Sequence, residues 1–323
     1  MLDSAEPVLS PPESALETAF AKDLLAALQQ TPRSIAPKYF YDQEGSRLFD
    51  QICELPEYYP TRTELSILRE RAPEIAAYMG PNAELVEFGA GSLTKVRLLL
   101  DAMQSPSRYV PIDISGEHLA GAASALKAEY PNLQVLPVVA DYTQRFKLPS
   151  LDQALGQRVG FFPGSTVGNF TPAEAVEFFR MAATVLLGGA LIVGADLIKH
   201  PSVLHAAYSD AQGVTAAFNL NLLARANREL GADFDVTRWA HSAFYNAPLQ
   251  RIEMHLMSCA RQTVQVQGQT FNFEEGETLH TENSYKFTID GLRALAMQGG
   301  FTPGPVWTDA DKRFSLHWLH APK

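Results

Sequence analysis

Leu85-Val86-Glu87-Phe88-Gly89-Ala90-Gly91-Ser92-Leu93-Thr94-Lys95 places an apolar run, an acid and two closely spaced glycines directly before a stretch of helical character. Leu85, Val86 and Phe88 have the character of a buried parallel strand, and Gly89 and Gly91 allow a turn that few other residues enter. A strand, a glycine turn and a helix in that order form a nucleotide cradle, in which a ligand approaches main-chain N–H groups at the start of the helix.

The details of the turn narrow the ligand. A dinucleotide fingerprint wants glycine at its sixth position, where this chain has Thr94. A phosphate-binding loop wants four residues between its glycines and a Lys-Ser/Thr pair after them, but one residue separates Gly89 from Gly91 and Lys95 is followed by Val96. Glu87, just before the turn, suits a cationic ligand better than a polyphosphate. S-adenosylmethionine carries such a cation, and its ribose diol calls for an acid at the end of the next strand. Asp113 closes the run Tyr109-Val110-Pro111-Ile112 at about the distance expected for that acid. Asp141 closes Val135-Leu136-Pro137-Val138-Val139-Ala140, with Tyr142 beside it to pack on an adenine.

The whole-chain numbers agree with a small-molecule enzyme. The 323 residues suffice for one large or two modest domains. A net charge of −10 argues against a nucleic-acid partner. Cys53 and Cys259 are too few for a disulfide framework, and no CxxC or Cys/His cluster suggests zinc, so no metal is expected. Neither a basic leader with an apolar core nor a run near 20 apolar residues is visible, so a cytoplasmic protein with no membrane partner is expected. A monomer is expected as well.

Helix starts are signposted along the chain. Capping boxes are read at Ser10-Pro11-Pro12-Glu13, Thr61-Arg62-Thr63-Glu64 and Thr171-Pro172-Ala173-Glu174, opening helices to about Gln29, to about Met79 and through Leu186. Apolar strands are expected near 85–88, 108–113, 134–139, 158–162 and 190–195. Alternation of this kind predicts an α/β fold with a parallel sheet covered on both faces. It breaks after Ala195-Asp196, where residues 197–232 read as mostly helical. A strand near 251–260, a hairpin around Gly268, a helix near 289–298 and two strands near 303–307 and 314–320 complete the reading. The natural partition joins 63–196 to 287–323 as a nucleotide domain, with 1–62 and 197–286 as a second lobe.

Two further regions stand out. Pro37 to Asp42 and Leu55 to Glu64 are rich in tyrosine, which ordinary packing with outward hydroxyls would explain. Gly164-Ser165-Thr166-Val167-Gly168-Asn169 follows the strand near 158–162; Asn169 either helps cap the next helix or faces a ligand at the strand's carboxyl end.

At this point the residues resemble a known family, the S-adenosylmethionine-dependent histidine Nα-methyltransferases of ergothioneine biosynthesis. The resemblance runs from Pro37 to the last strands and rests on PKYFYDQEGSRLFDQICELPEYYPTRTE, EFGAGSLTK, GSTVGNFTPAE, AYSDAQGVTAAFN, NRELGADFD, RIEM and TENSYKF. It implies a Rossmann-like class I methyltransferase sheet with a substrate-binding lobe of mixed α+β structure, and trimethylation of L-histidine to hercynine. By motif it implies that Gly89, Gly91 and Lys95 meet S-adenosylmethionine, with Glu87 beside them, Asp113 on the ribose, Asp141 and Tyr142 at the adenine, and Tyr41 near the methionine end. Tyr142 stands where the family has phenylalanine. The resemblance further implies that Tyr58, Asn169 and Tyr208 hold the amino-acid carboxylate. Glu282 and Ser284 would read the imidazole, with Met254 lining the pocket and the Gly164 region contacting the amine. An isolated Glu282 would otherwise read as a solvated edge-strand acid, and Asn283 replaces an apolar residue but should point away by strand alternation. A sister enzyme for tryptophan or tyrosine should lack the imidazole-reading acid. A non-catalytic S-adenosylmethionine-binding regulator would not be expected to keep the substrate motifs.

Overall fold

The computed structural model describes residues 13–91, 93–114, 116–144, 146, 148 and 156–323. The chain divides into two compact units, one containing 60–197 and 287–323 and the other containing 13–59 and 198–286.

The first unit is built on an eight-stranded sheet. Its order is Thr302–Thr308, Phe314–His320, Ala190–Asp196, Arg158–Phe162, Glu84–Phe88 and Arg108–Asp113, with Gln134–Val135 and Val138–Val139 both beside the last. Phe314–His320 runs antiparallel to both of its neighbours and the remaining pairs are parallel. Glu84–Phe88 and Ala190–Asp196 are buried at every residue, as strands covered on both faces must be. The sheet is Rossmann-like, and chain order reverses between Glu84–Phe88 and Arg158–Phe162, the point at which open α/β sheets bind ligands.

Register at the amino ends of these strands is fixed by charge. Glu84 lies opposite Arg108 on one side and Arg158 on the other. Its fully buried carboxylate pairs with Arg108 at 3.3 Å and Arg158 at 2.7 Å, so a one-residue slip would strand a buried charge. The edge strand Thr302–Thr308 carries Pro303 and Pro305, tolerated because an edge offers N–H positions that need no ladder partner.

Several local expectations need correction. The stretch 134–139 is two short strands, because Pro137 has no N–H to give. The helix expected from Thr61 begins earlier, at Tyr59, and runs to Met79, so Thr61 is inside it and Glu64 does not cap it. The box at Thr171 is present in full: Thr171 accepts from the Glu174 N–H and Glu174 accepts from the Thr171 N–H. Residues 10–12 of the first box lie outside the described residues, and the helix there is Glu13–Gln29.

The second unit packs the helices Glu13–Gln29, Gln43–Glu54, Pro201–Tyr208 and Val214–Leu230 with a sheet ordered Arg33–Ser34, Thr278–Tyr285, Arg251–Ser258 and Trp239–Asn246. The hairpin Gln262–Val266/Gln269–Phe273 turns at Gln267-Gly268. Its core holds Phe20, Phe40, Leu222, Ile252, Leu256 and Leu279. The helix Gln43–Glu54 had no expectation from hydrophobic spacing. It starts on Asp42, whose carboxylate accepts the Gly45 N–H at 2.7 Å.

Candidate functional site

In the first unit, the glycine loop leaves the Glu84–Phe88 strand with Gly89 at φ +74°, a conformation costly for residues with a Cβ. The Gly89 and Ala90 N–H groups both donate to the Ile112 carbonyl at 2.9 Å, tying the loop to the neighbouring strand. A Cβ on Gly89 would stand 3.5 Å from the Tyr142 ring, and one on Gly91 would meet nothing within 4 Å among the described residues. The loop therefore has an aromatic floor, and its N–H groups are held within the fold, that of Gly91 by the Gly89 carbonyl at 2.9 Å. The helix Thr94–Ala102 follows with no side-chain cap from Leu93. This arrangement fits a nucleoside laid against the backbone.

The acids converge there. Asp113 ends its strand half-buried, and Asp141 accepts from the Thr143 N–H at 2.9 Å and hydroxyl at 2.5 Å. Burial, reinforced by the charges of Asp113 and Asp141, pushes the Tyr142 phenol well up. Tyr142 packs edge-on against Phe162 at 5.6 Å and Phe178 at 6.2 Å between ring centroids. Burial changes the reading of Glu87. It accepts a hydrogen bond from Tyr109 and its carboxyl is pushed up to about 8, so near neutral pH it is largely a protonated acid rather than a counter-charge.

Glu64 is the functional acid that the sequence reading missed. It is fully buried, pairs with Lys95 at 2.7 Å and accepts the Gly164 N–H with both oxygens at 3.0 and 2.9 Å. One carboxylate thus couples the first turn after the glycine loop to the turn after Arg158–Phe162. Gly164 and Ser165 are both left-handed, at φ +77° and +58°, and the Ser165 hydroxyl accepts from the Asp196 N–H at 2.9 Å. Asn169 ends the short turn Thr166–Asn169, and Thr171 supplies the helix cap, so capping does not account for Asn169. Glu64 carried a signal only as the acid of a capping box; its partners are 31 and 100 positions away.

In the second unit, Tyr58, Tyr208, Met254 and Glu282 line one cavity, together with Phe49, Ile52, Ala207, Thr215 and Phe218. Tyr58 meets Tyr208 edge-on at 6.3 Å. Burial pushes the Tyr58 phenol well above its ordinary value. Glu282 is buried in an aromatic and apolar wall, which raises its carboxyl to about 7, while the Lys286 charge acts in the opposite direction. Asn283 is not among the lining residues, as alternation requires. Ser284 reaches the wall through Tyr208, their hydroxyl oxygens 2.6 Å apart. Tyr41 belongs to the aromatic cluster of this unit, 5.5 Å from Phe49 and 5.7 Å from Phe218.

Backbone placement of Tyr208 depends on a buried polar chain. The Tyr208 carbonyl accepts from His241 Nε2 at 2.8 Å, which leaves Nδ1 to accept from Asn219 Nδ2 at 2.9 Å. Asn219 Oδ1 in turn accepts from the Thr281 hydroxyl at 2.8 Å. Burial lowers the His241 imidazole, which keeps it neutral for this role.

Glu253, His255 and His280 bring ligand atoms within 4.8 Å of one another, the one such group among the described residues. The Glu253 carboxylate is already engaged by Arg251 and by Asn246 at 2.8 Å. The sequence search missed this group because its members lie on two strands.

Comparison with known proteins gives one family. Residues 20–321 match the model described as "Histidine-specific methyltransferase, SAM-dependent". The chain is 43% identical to the "Histidine N-alpha-methyltransferase" of Mycolicibacterium smegmatis over 94% of this chain and 95% of that protein. It is 42% identical to the protein of the same name from Mycobacterium tuberculosis, with the same coverage. A 28% identical match covers 89% of this chain and 33% of the "Ergothioneine biosynthesis protein 1" of Neurospora crassa.

Proposed function

The chain belongs to the family of histidine-specific, S-adenosylmethionine-dependent methyltransferases, and we propose that it methylates the α-amino group of L-histidine three times to give hercynine, a step of ergothioneine formation. The observation that carries the choice of histidine is the burial of Glu282 beside Met254 in a cavity walled by aromatic and apolar side chains. A buried acid is costly unless a ligand donates to it, and an imidazole N–H does so where a phenyl ring would not. A tryptophan or tyrosine specialist, or a regulator without chemistry, is disfavoured by the 42–43% identity to two histidine N-alpha-methyltransferases over 94% of this chain.

S-adenosylmethionine supplies a methyl group on a cationic sulfur. In the first unit, the residues proposed to hold it are Gly89, Gly91, Lys95, Asp113, Asp141 and Tyr142, with Glu87 as a neutral hydrogen-bonding group; the aromatic floor of the glycine loop fits it. Tyr41 is proposed near the methionine end from its motif.

For the amino acid, Tyr58 and Tyr208 donate to the carboxylate and Glu282 accepts from one imidazole N–H, with Ser284 at the other ring nitrogen. By the same motif reading, Asn169 serves the carboxylate and the Gly164 region the amine. The amine attacks through its lone pair after losing a proton to water, so these residues contribute positioning rather than proton transfer. Neutral donors around the carboxylate leave space as methyl groups accumulate.

A cytoplasmic monomer without nucleic-acid or membrane partners completes the proposal. The net charge of −10 supports it, and among the described residues no helix is long and apolar enough to cross a membrane. The deciding experiment offers the protein S-adenosylmethionine with single amino acids and weighs the products. Mono-, di- and trimethylated histidine is expected; absence of all three would reject the reading.

A further inference from the structure

Lys286 is a buried cation that no motif reading assigned. It is 2% exposed, and its ammonium donates to the Ser284 hydroxyl at 2.8 Å and to the Tyr208 hydroxyl at 3.1 Å. The ammonium also stands 4.9 Å from the centre of the Tyr208 ring. With Tyr208 and Ser284 themselves 2.6 Å apart, the three groups close a triangle.

Donor counting gives this triangle a polarity. An ammonium has only hydrogens to offer, so both hydroxyl oxygens accept from Lys286. Of the two hydroxyl hydrogens, one forms the Tyr208–Ser284 bond and one is directed outside the triangle. When Ser284 donates to Tyr208, the outward hydrogen belongs to Tyr208, which lines the cavity. An anion placed against Tyr208 selects that state.

Charge balance points the same way. Glu282 lines the same cavity, and an amino-acid substrate brings a second carboxylate into it. Two carboxylates in one buried space repel, and burial penalises each of them. The Lys286 ammonium donates to Tyr208, the group against which the substrate carboxylate is placed, and so offsets the repulsion on that side of the cavity.

We propose that Lys286 is a positioning and specificity-determining residue, which orients the Tyr208 hydroxyl toward the substrate carboxylate and makes the cavity select amino acids over amines that lack that group. The inference rests on Tyr208 receiving the carboxylate in the function proposed above. Lys286→Met keeps the apolar stem and removes the charge.

The test measures binding of L-histidine and of histamine, which keeps the imidazole and amine without the carboxylate, by calorimetry on the intact protein. Wild type should prefer histidine. In Lys286→Met, histidine binding should weaken by about 30-fold or more while histamine changes little, so the preference collapses; this follows from removing one member of a buried charged set. S-adenosylmethionine affinity should stay unchanged. An unmoved histidine-to-histamine ratio overturns the inference, as does equal weakening of both ligands, which marks a merely structural lysine. Tyr208→Phe removes the same hydrogen while keeping the cation and its bond to Ser284, and it too must lose the ratio. Wild-type protein that binds no histidine overturns the functional reading itself, whereas binding with an unmoved ratio overturns only the role of Lys286.

Discussion

Met254 and Glu282 are register partners across the antiparallel strands Arg251–Ser258 and Thr278–Tyr285, and both line the same cavity. A flexible thioether and a carboxylate are therefore held side by side by the backbone ladder. Neither depends on a loop for its position.

Replacing Glu282 with Gln should raise the dissociation constant for L-histidine by about 10- to 100-fold, the loss of a hydrogen bond to a charged group. S-adenosylmethionine binding should not change. Because burial raises this carboxyl to about 7, it is ionised only as pH rises through that value. The wild-type affinity should accordingly gain a rising limb between about pH 6 and 8 that Glu282→Gln lacks. Identical pH profiles would remove Glu282 from imidazole recognition.

Asp113→Ala should weaken S-adenosylmethionine binding by about tenfold or more, while Tyr142→Phe should leave it within about threefold because the ring over Gly89 is retained. Tyr142→Ala should lose that floor. Calorimetric titration of the three variants checks the assignment, and unchanged affinity in Asp113→Ala would refute the ribose role.

Glu64→Ala leaves the Lys95 ammonium without its buried carboxylate partner and the Gly164 amide without its acceptor. A loss of about 3–5 kcal/mol in urea unfolding is expected, with Glu64→Gln intermediate because an amide oxygen still accepts from Gly164. A loss below about 1 kcal/mol in Glu64→Ala would show that the two turns hold themselves.

Glu87 should give the fold a pH signature. Its carboxyl is raised to about 8 from an ordinary value of 4.5, so the native state holds a proton that the unfolded chain has released. Stability contributed by this group is present at low pH and is lost as pH rises from about 5 through 8. Glu87→Gln keeps an acceptor for Tyr109 and should flatten that decline by up to a few kcal/mol. Urea midpoints at pH 6 and 8.5 compare the two directly.

The sheet was legible because its parallel strands are short apolar runs, three of which end on a glycine or an acid. Phe88-Gly89, Ile112-Asp113 and Ala195-Asp196 mark their own ends. The strands Trp239–Asn246 and Thr278–Tyr285 were not readable in this way. Neither shows a clean alternation, half-buried residues making up most of the first and half of the second, and both pair with Arg251–Ser258. For the candidate site, the family motifs supplied Tyr58, Tyr208, Met254 and Glu282, which the cavity brings together. Lys286 continues the two-residue period of Glu282 and Ser284 and could have been found from it. Glu64 could not, since a capping-box pattern gave its acid an ordinary explanation.

The antiparallel pairing of Phe314–His320 with Ala190–Asp196 sets a schedule for synthesis. Residues 197–313 must leave the ribosome before that partner strand exists, roughly 6–25 s at about 5–20 residues per second. Through that interval Ala190–Asp196, buried at every position in the finished fold, is an open apolar edge of the kind that pairs with neighbouring chains. The first unit to start folding is thus the last to be sealed. A nascent chain cut short within 197–313 would retain the glycine loop and its acids on an unfinished, self-associating sheet.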